Sequence, residues 1–222
     1  MGQYFDDDPT VGSSPVEVTW SLPDGPLTVQ TDRGVFGYGQ VDTGTKLLLV
    51  TMEAPPATGN LLDIGCGTGV IALTMARRSP AATVWAIDVN RRARDLCAAN
   101  AERLGLTNVR VSTPNDVPAE VRFAAIWSNP PIRIGKSALH ELLLHWLARL
   151  ASTAEAHLVV QKHLGADSLS RWLSDQGHPT DRVATGAGFR VLRVRPGGDS
   201  VALPASSSSA SASSGIDLDP EA

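Results

Sequence analysis

The ten residues Leu61-Leu62-Asp63-Ile64-Gly65-Cys66-Gly67-Thr68-Gly69-Val70 leave this chain few folds to choose from. Leu61 to Ile64 is an apolar run broken by one acid, which reads as a short buried strand. Gly65, Gly67 and Gly69 then permit positive φ and a close approach of backbone to a ligand. Val70 to Ala76 continues as a buried-helix sequence. A strand, a glycine turn and a helix start together present free N–H groups to a polar ligand.

The spacing narrows the ligand. In the dinucleotide-binding pattern a third small residue belongs where Val70 stands. Asp63, two residues before the first glycine, would repel a pyrophosphate but suits a cationic or amine-bearing ligand. Thr83 to Asn90 reads as a second strand, with Asp88 and Val89 at its tip. An acid there can accept both hydroxyls of a ribose. A nucleoside without phosphates and with a charged amino-acid tail fits both acids, and S-adenosylmethionine is such a molecule. Asp63-Ile64-Gly65-Cys66-Gly67-Thr68-Gly69 followed by Ala86-Ile87-Asp88 resembles the class I S-adenosylmethionine-dependent methyltransferases.

The whole chain sets outer bounds. Its 222 residues suit one domain with tails. Residues 1–15 and 197–222 read as disordered tails, the second rich in Ser, Ala and acids. Residues 16–196 read as the methyltransferase domain, including an N-terminal hairpin over 16–31. No apolar run approaches the roughly 18 residues of a membrane span. The start of the chain lacks the basic and apolar regions of a signal peptide. Cys66 and Cys97 make no disulfide framework, which suits a reducing cytoplasm. Five scattered His and two Cys show no metal-ligand spacing, so no metal is expected. The net charge is −4, yet all 19 Lys and Arg but only 16 of the 23 Asp and Glu lie in residues 16–196. That part is therefore net positive and compatible with an RNA partner.

In chain order, the alternating runs Val16–Trp20 and Leu27–Thr31 predict a hairpin around Pro23-Asp24-Gly25-Pro26. A glycine-aromatic loop follows over 34–40. Lys46–Met52 reads as a helix capped by Asp42 or Thr43. After the second strand, apolar spacing predicts a helix from about Asn90 to Leu104, stopped by Gly105. Its Arg91, Arg92 and Arg94 read as a solvated face, and Trp127 and Trp146 as core. Further strands are expected at 108–112, 123–127, 156–161, 182–184 and 189–194. Further helices are expected over a stripe from Leu139 to Leu150 and over 168–176. The expected fold class is therefore α/β. It is a Rossmann-like class I methyltransferase fold with a mostly parallel seven-stranded sheet, a closing antiparallel hairpin and helices on both faces.

Ligands in such sheets sit outside the carboxyl ends of the strands. The fourth-strand tip, Ser128-Asn129-Pro130-Pro131-Ile132, is therefore the second informative stretch. Two prolines fix the backbone and lack N–H groups. Asn129 is then held rigidly, with its amide oxygen and the Pro130 carbonyl free as acceptors for one amino group. Two acceptors can orient the N–H bonds of a planar amine and aim its lone pair at a methyl donor, with no strong base required.

Asn129-Pro130-Pro131-Ile132 resembles the N-P-P-[FYI] signature of methyltransferases acting on exocyclic amino groups or glutamine side chains. With Gly34-Val35-Phe36, Asp42-Thr43-Gly44-Thr45, Arg133-Ile134-Gly135-Lys136 and Gln161 to Ala166, the order resembles the "methyltransferase small domain" group over roughly 27–195. That group includes ribosomal RNA guanine 2-amino methyltransferases, and the likeness is to its short single-domain branch. The resemblance implies that Asp63, Gly65 and Gly67 hold the methionine moiety, with Cys66 and Gly69 also in the cofactor site. It places Asp88 and Val89 at the ribose, and Asp116 or Asn115 at the adenine amino group. Asn129, Pro130, Pro131 and Ile132 would form the catalytic tip, beside the cofactor. Arg133 and Lys136 would meet RNA phosphates, with Lys162 and His163 on the same rim. Many relatives carry an aromatic where Ile132 stands, so Phe36 or Tyr38 is expected to stack on the target base. The implied reaction is methyl transfer to guanine 2-amino groups of ribosomal RNA, free or in a subunit. A protein glutamine, a small amine or a non-catalytic scaffold are the competing expectations.

Overall fold

The computed structural model describes residues 10–198; the tails lie largely outside the described residues. Residues 10–15 form no helix or strand, and Ser13 Oγ and Ser14 N–H are tied to the Asp32 carboxylate at 2.6 and 2.5 Å.

Alternating residues produce β1 (Val16–Leu22) and β2 (Gly25–Thr31), an antiparallel pair turning at Pro23-Asp24. Helix α1 (Thr43–Thr51) starts three residues before the expected Lys46. Its first turn carries no apolar stripe, and the Asp42 side chain starts it by accepting the Thr45 N–H. Then follow β3 (Asn60–Ile64), α2 (Val70–Arg78), β4 (Thr83–Ile87), α3 (Arg91–Arg103) and β5 (Val109–Ser112). Next come β6 (Phe123–Ser128), α4 (Lys136–Leu147), β7 (Leu150–Gln161), α5 (Ala166–Asp175), β8 (Thr180–Gly186) and β9 (Phe189–Val194).

Leu150 was expected on the helix that carries Leu139 and Trp146, but it opens β7 and pairs with Phe123 of β6. An apolar residue three places after Leu147 fits a helix stripe and a buried strand equally. The chain turns at Arg149, whose guanidinium lies over the rings of Phe123 and Trp146 at 5.2 and 4.9 Å and donates to the carbonyls of Pro118 and Val121.

The seven strands order as β5-β4-β3-β6-β7-β9-β8. β3 to β7 run parallel and β9 is antiparallel to both neighbours. The β8–β9 turn puts Ala187 and Gly188 at φ 48° and 81°, the two positive values of a tight hairpin turn. Two cores cover the sheet faces, one under α1, α2 and α3, the other under α4 and α5. Trp127 and Trp146 are buried as expected.

The chain steps outward from β3 through β4 to β5, then crosses to β6 and β7. The carboxyl ends of β3 and β6 therefore flank a topological switch point, where a crevice opens because consecutive connections leave in opposite directions. Ser128 Oγ donates to the Ile64 carbonyl at 2.7 Å and ties the two tips together.

The β1–β2 hairpin is docked by polar contacts. Asp24 receives Arg77 and Arg78 of α2 at 3.0 and 2.8 Å. Asn100 of α3 exchanges hydrogen bonds with the Gln30 backbone at 2.8 and 2.9 Å. Arg92 and Arg94, expected as solvated, are in fact engaged. Arg92 donates to the Val11 and Arg33 carbonyls, and Arg94 to those of Asp88 and Val89.

Candidate active site

The crevice is a narrow, partly open cleft with a cavity volume of about 40 Å³. Its walls come from the 36–45 segment, the turn from Gly65 to Ile71, and Asn129.

The glycine turn is built as the sequence requires. Gly65, Gly67 and Gly69 have φ of 73°, 54° and 93°. The N–H groups of Gly65 and Cys66 both donate to the Ile87 carbonyl at 2.9 Å, and Gly67 donates to Asp88 Oδ2 at 2.9 Å. These bonds lash the turn to the end of β4. The three glycines do not share a role. Gly65 and Gly67 line the cleft. Gly69 faces α3, where an added Cβ would sit 2.7 Å from Cys97 Sγ. Cys66 also lines the cleft, and its hydrogen bond with the Cys97 thiol, together with burial, holds its own thiol far above the usual range. It is a packed, protonated wall rather than a nucleophile.

Asp63 is fully buried behind the turn rather than on the cleft surface. Oδ2 accepts the Ala72 N–H at 3.0 Å, and among the described residues Oδ1 has no hydrogen-bond partner. Burial pushes the carboxyl up to about 8, against the pull of the Ala72 hydrogen bond and with a further push from Asp88. Asp88, at the β4 tip, accepts the Asn90 N–H with Oδ1 at 2.9 Å while Oδ2 takes Gly67, leaving one lone pair on each oxygen for a diol. Burial raises its carboxyl too, opposed by those N–H groups and by Arg94. Val89 is exposed at the same tip. Asn115 and Asp116 lie exposed on a short 3-10 turn after β5, with Asp116 Oδ2 accepting the Thr113 hydroxyl at 2.6 Å.

Asn129 is fixed more tightly than two prolines alone would achieve. Its amide nitrogen donates to Asp42 Oδ2 at 2.9 Å and to Thr45 Oγ1 at 3.1 Å. Both amide hydrogens are thereby spent inside the protein, and Oδ1 is the group left to accept from outside. Pro130 departs from expectation: its carbonyl accepts the Ile132 N–H at 2.8 Å in a tight turn, so only its second lone pair remains. Pro131 packs beside Gly65, where an added Cβ would lie 3.9 Å from its Cδ. Ile132 opens a 3-10 turn and packs against the α4–α5 core.

The two aromatic candidates part company. Phe36 is 51% exposed and lines the cleft. Tyr38 is turned toward the N-terminal segment, with its hydroxyl 3.5 Å from Ser14 Oγ and Arg33 over its ring. Arg133, Lys136, Lys162 and His163 are exposed beyond the β6 and β7 tips. Asp42 and Thr45 escaped the sequence reading as site residues. The only signal was the string Asp42-Thr43-Gly44-Thr45, which a helix cap explains by itself.

Switch-point crevice, glycine turn and Asn-Pro-Pro tip together define a class I methyltransferase. More particularly, the chain belongs to the family described as Methyltransferase small domain, whose profile matches residues 26–193. A Bacillus subtilis protein named "Uncharacterized protein YbxB" is 34% identical over 197 residues, covering 86% of this chain and 97% of that one. Ribosomal RNA small subunit methyltransferase C of Pseudomonas aeruginosa is 35% identical over 183 residues, 79% of this chain and 54% of the relative. The chain thus spans about half the length of that relative. Among solved structures, a T. thermophilus 16S rRNA N2 methyltransferase in complex with AdoMet and guanosine superposes with a TM-score of 0.69 at 20% identity. That match covers 85% of this chain and 52% of the other.

The family's cofactor is S-adenosylmethionine, and the residues fit it. Among the described residues no cation pairs with Asp63 and its Oδ1 has no hydrogen-bond partner, so a ligand's ammonium group beside it would favour the ionised form that burial opposes. Among the described residues, no cluster of three His, Cys, Asp or Glu could hold a metal, and no helix is long and apolar enough to cross a membrane.

Proposed function

We propose that this chain transfers a methyl group to the 2-amino group of a guanine in ribosomal RNA. The observation that carries the reading is the committed amide of Asn129, which leaves a fixed oxygen at the switch point beside the glycine turn.

The residues divide the work. The Gly65–Gly67 turn accommodates the methionine end of the cofactor, with Asp63 answering its ammonium charge from behind. Asp88 takes the ribose hydroxyls, with Val89 beside them, and Asn115 or Asp116 takes the adenine amine. When bound, S-adenosylmethionine supplies an electrophilic sulfonium methyl. Asn129 Oδ1 and the second lone pair of the Pro130 carbonyl accept the two N–H bonds of the target amine. Those acceptors draw the nitrogen lone pair out of conjugation with the ring and aim it along the axis of displacement. Positioning and preorganised dipoles would then lower the barrier as the N–C bond forms and the methyl–sulfur bond breaks, with a neutral thioether leaving and the surplus proton passing to water. Phe36 offers a ring face at the cleft mouth for the base. Arg133, Lys136 and Lys162 supply exposed positive charge where phosphates would run.

The names of the relatives support an RNA acceptor, and the same acceptor oxygens would serve an amide. The test uses purified protein, methyl-labelled S-adenosylmethionine, and ribosomal RNA or subunits from a strain lacking the gene. Label in 2-methylguanosine after digestion to nucleosides is the expected result. Label confined to protein or to a small amine refutes the reading.

A further inference from the structure

Asp42 has one oxygen to spare. Its Oδ2 accepts both the Thr45 N–H, at 3.0 Å, and the Asn129 amide, at 2.9 Å. Among the described residues Oδ1 has no hydrogen bond and no ion pair. Asp42 is half-buried and shares the cleft wall with Asn129. The cleft wall therefore carries two acceptors with no partner among the described residues, on side chains hydrogen-bonded to each other: Asn129 Oδ1 and Asp42 Oδ1.

We infer that Asp42 Oδ1 reads the ring N–H next to the target amine and so selects guanine. The inference rests on the proposed guanine 2-amino activity and adds its specificity-determining residue. Guanine presents its 2-amino group and its N1–H side by side, two donors in a row. Adenine and cytosine instead set the exocyclic amine beside an unprotonated ring nitrogen, which is an acceptor. Two adjacent protein acceptors match guanine's donor pair. Against adenine or cytosine the same carboxylate faces a lone pair, loses its hydration and gains nothing. A glutamine side chain has no second donor group to offer it. Sites built around a buried hydrogen bond reject analogues that cannot make it far more strongly than apolar pockets do, by up to about 10⁴-fold or more.

The division of labour between the two oxygens makes a clean variant. In Asp42→Asn the amide oxygen can take the place of Oδ2, capping the helix and holding Asn129. The amide nitrogen then puts a donor where Oδ1 was. With ribosomal RNA from a strain lacking the gene, the variant's kcat/KM for guanine methylation is expected to fall by about 10²-fold or more. Cofactor affinity and melting temperature should stay at wild-type values. Guanine methylation retained within about threefold, with the same base selected, overturns the inference.

A second measurement needs no variant. Guanosine and 2-aminopurine riboside are compared as competitors of RNA methylation by the wild-type protein. Both carry the 2-amino group, but 2-aminopurine has an acceptor at N1 and no 6-oxo group. 6-Thioguanosine, which keeps the 2-amino group and the N1–H but replaces the 6-oxo oxygen by sulfur, controls for the latter. 2-Aminopurine riboside inhibiting at least about tenfold more weakly than guanosine supports the inference. Equal inhibition overturns it. A wild-type protein that labels some acceptor other than guanine refutes the proposed function itself. That result differs from a guanine enzyme indifferent to the side chain at 42.

Discussion

Asn129 donates its amide N–H to Asp42 Oδ2 at 2.9 Å across 87 residues of sequence. The same oxygen caps α1, so one carboxylate joins the start of a helix to the tip of β6. Asp42→Ala removes both bonds. Loss of the cap is expected to cost about 0.5–2 kcal/mol of stability. Release of the Asn129 side chain is expected to lower kcat by about 10- to 100-fold with little change in cofactor affinity, because the glycine turn is untouched. A double-mutant cycle checks the route. In an Asn129→Ala background, Asp42→Ala should cost less than it does in the wild type, keeping only the part that comes from Oδ1 at the guanine N1–H.

Asp63 makes stability depend on pH. Its folded carboxyl is raised from 3.8 to about 8, with burial the largest cause. Between those values the unfolded chain gives up this proton and the folded one keeps it. The group's contribution to stability therefore falls as pH rises from about 4 to about 8, and levels off above. Asp63→Asn should remove that slope in chemical denaturation of the cofactor-free protein at pH 5 and pH 8. It should also weaken cofactor binding by about 10- to 100-fold, since a neutral donor replaces the orphaned oxygen that an ammonium group would answer. Calorimetry with S-adenosylmethionine checks the second effect.

Gly69 is a packing glycine as well as a turn glycine. An added Cβ lies 2.7 Å from Cys97 Sγ and 3.2 Å from a Leu73 methyl, at φ 93°. Gly69→Ala is expected to cost about 1–3 kcal/mol, read as a lower urea midpoint. Adding Cys97→Ala should return part of that loss by clearing the contact, and leave the part due to the positive φ.

Gly44 inverts the usual rule for helices. Replacing a helical glycine with alanine commonly stabilises by about 0.4–1 kcal/mol. Here the new Cβ would sit 2.7 Å from two ring carbons of Phe189 and 3.0 Å from Asp42 Oδ2. Gly44→Ala should therefore lower the melting temperature and disturb turnover through Asp42.

Much of the candidate site was legible because its residue types are unusual together. An acid before alternating glycines, an acid closing the next strand and an Asn-Pro-Pro string each admit few structural explanations. Those tips converge because strands alternating with helices force a parallel sheet. What stayed hidden depends on where side chains reach. A capping aspartate looks the same in sequence whether or not it also receives an amide from 87 residues away. Gly65, Gly67 and Gly69 are indistinguishable as letters, yet two face the cleft and one faces Cys97. Phe36 and Tyr38 share one loop, and only backbone geometry decides which ring meets the cleft. Leu150 satisfied a helical stripe and a buried strand alike, so periodicity could not place it.

The most direct measurement compares wild type with Asn129→Ala in two readouts on one preparation. These are calorimetric titration with S-adenosylmethionine and single-turnover methylation of ribosomal RNA. The cofactor Kd of the variant is expected within about twofold of wild type and its methyl-transfer rate lower by about 10²–10³-fold. That result would assign Asn129 to the acceptor and not to the cofactor. A variant that still transfers the methyl group at the wild-type rate would contradict the account.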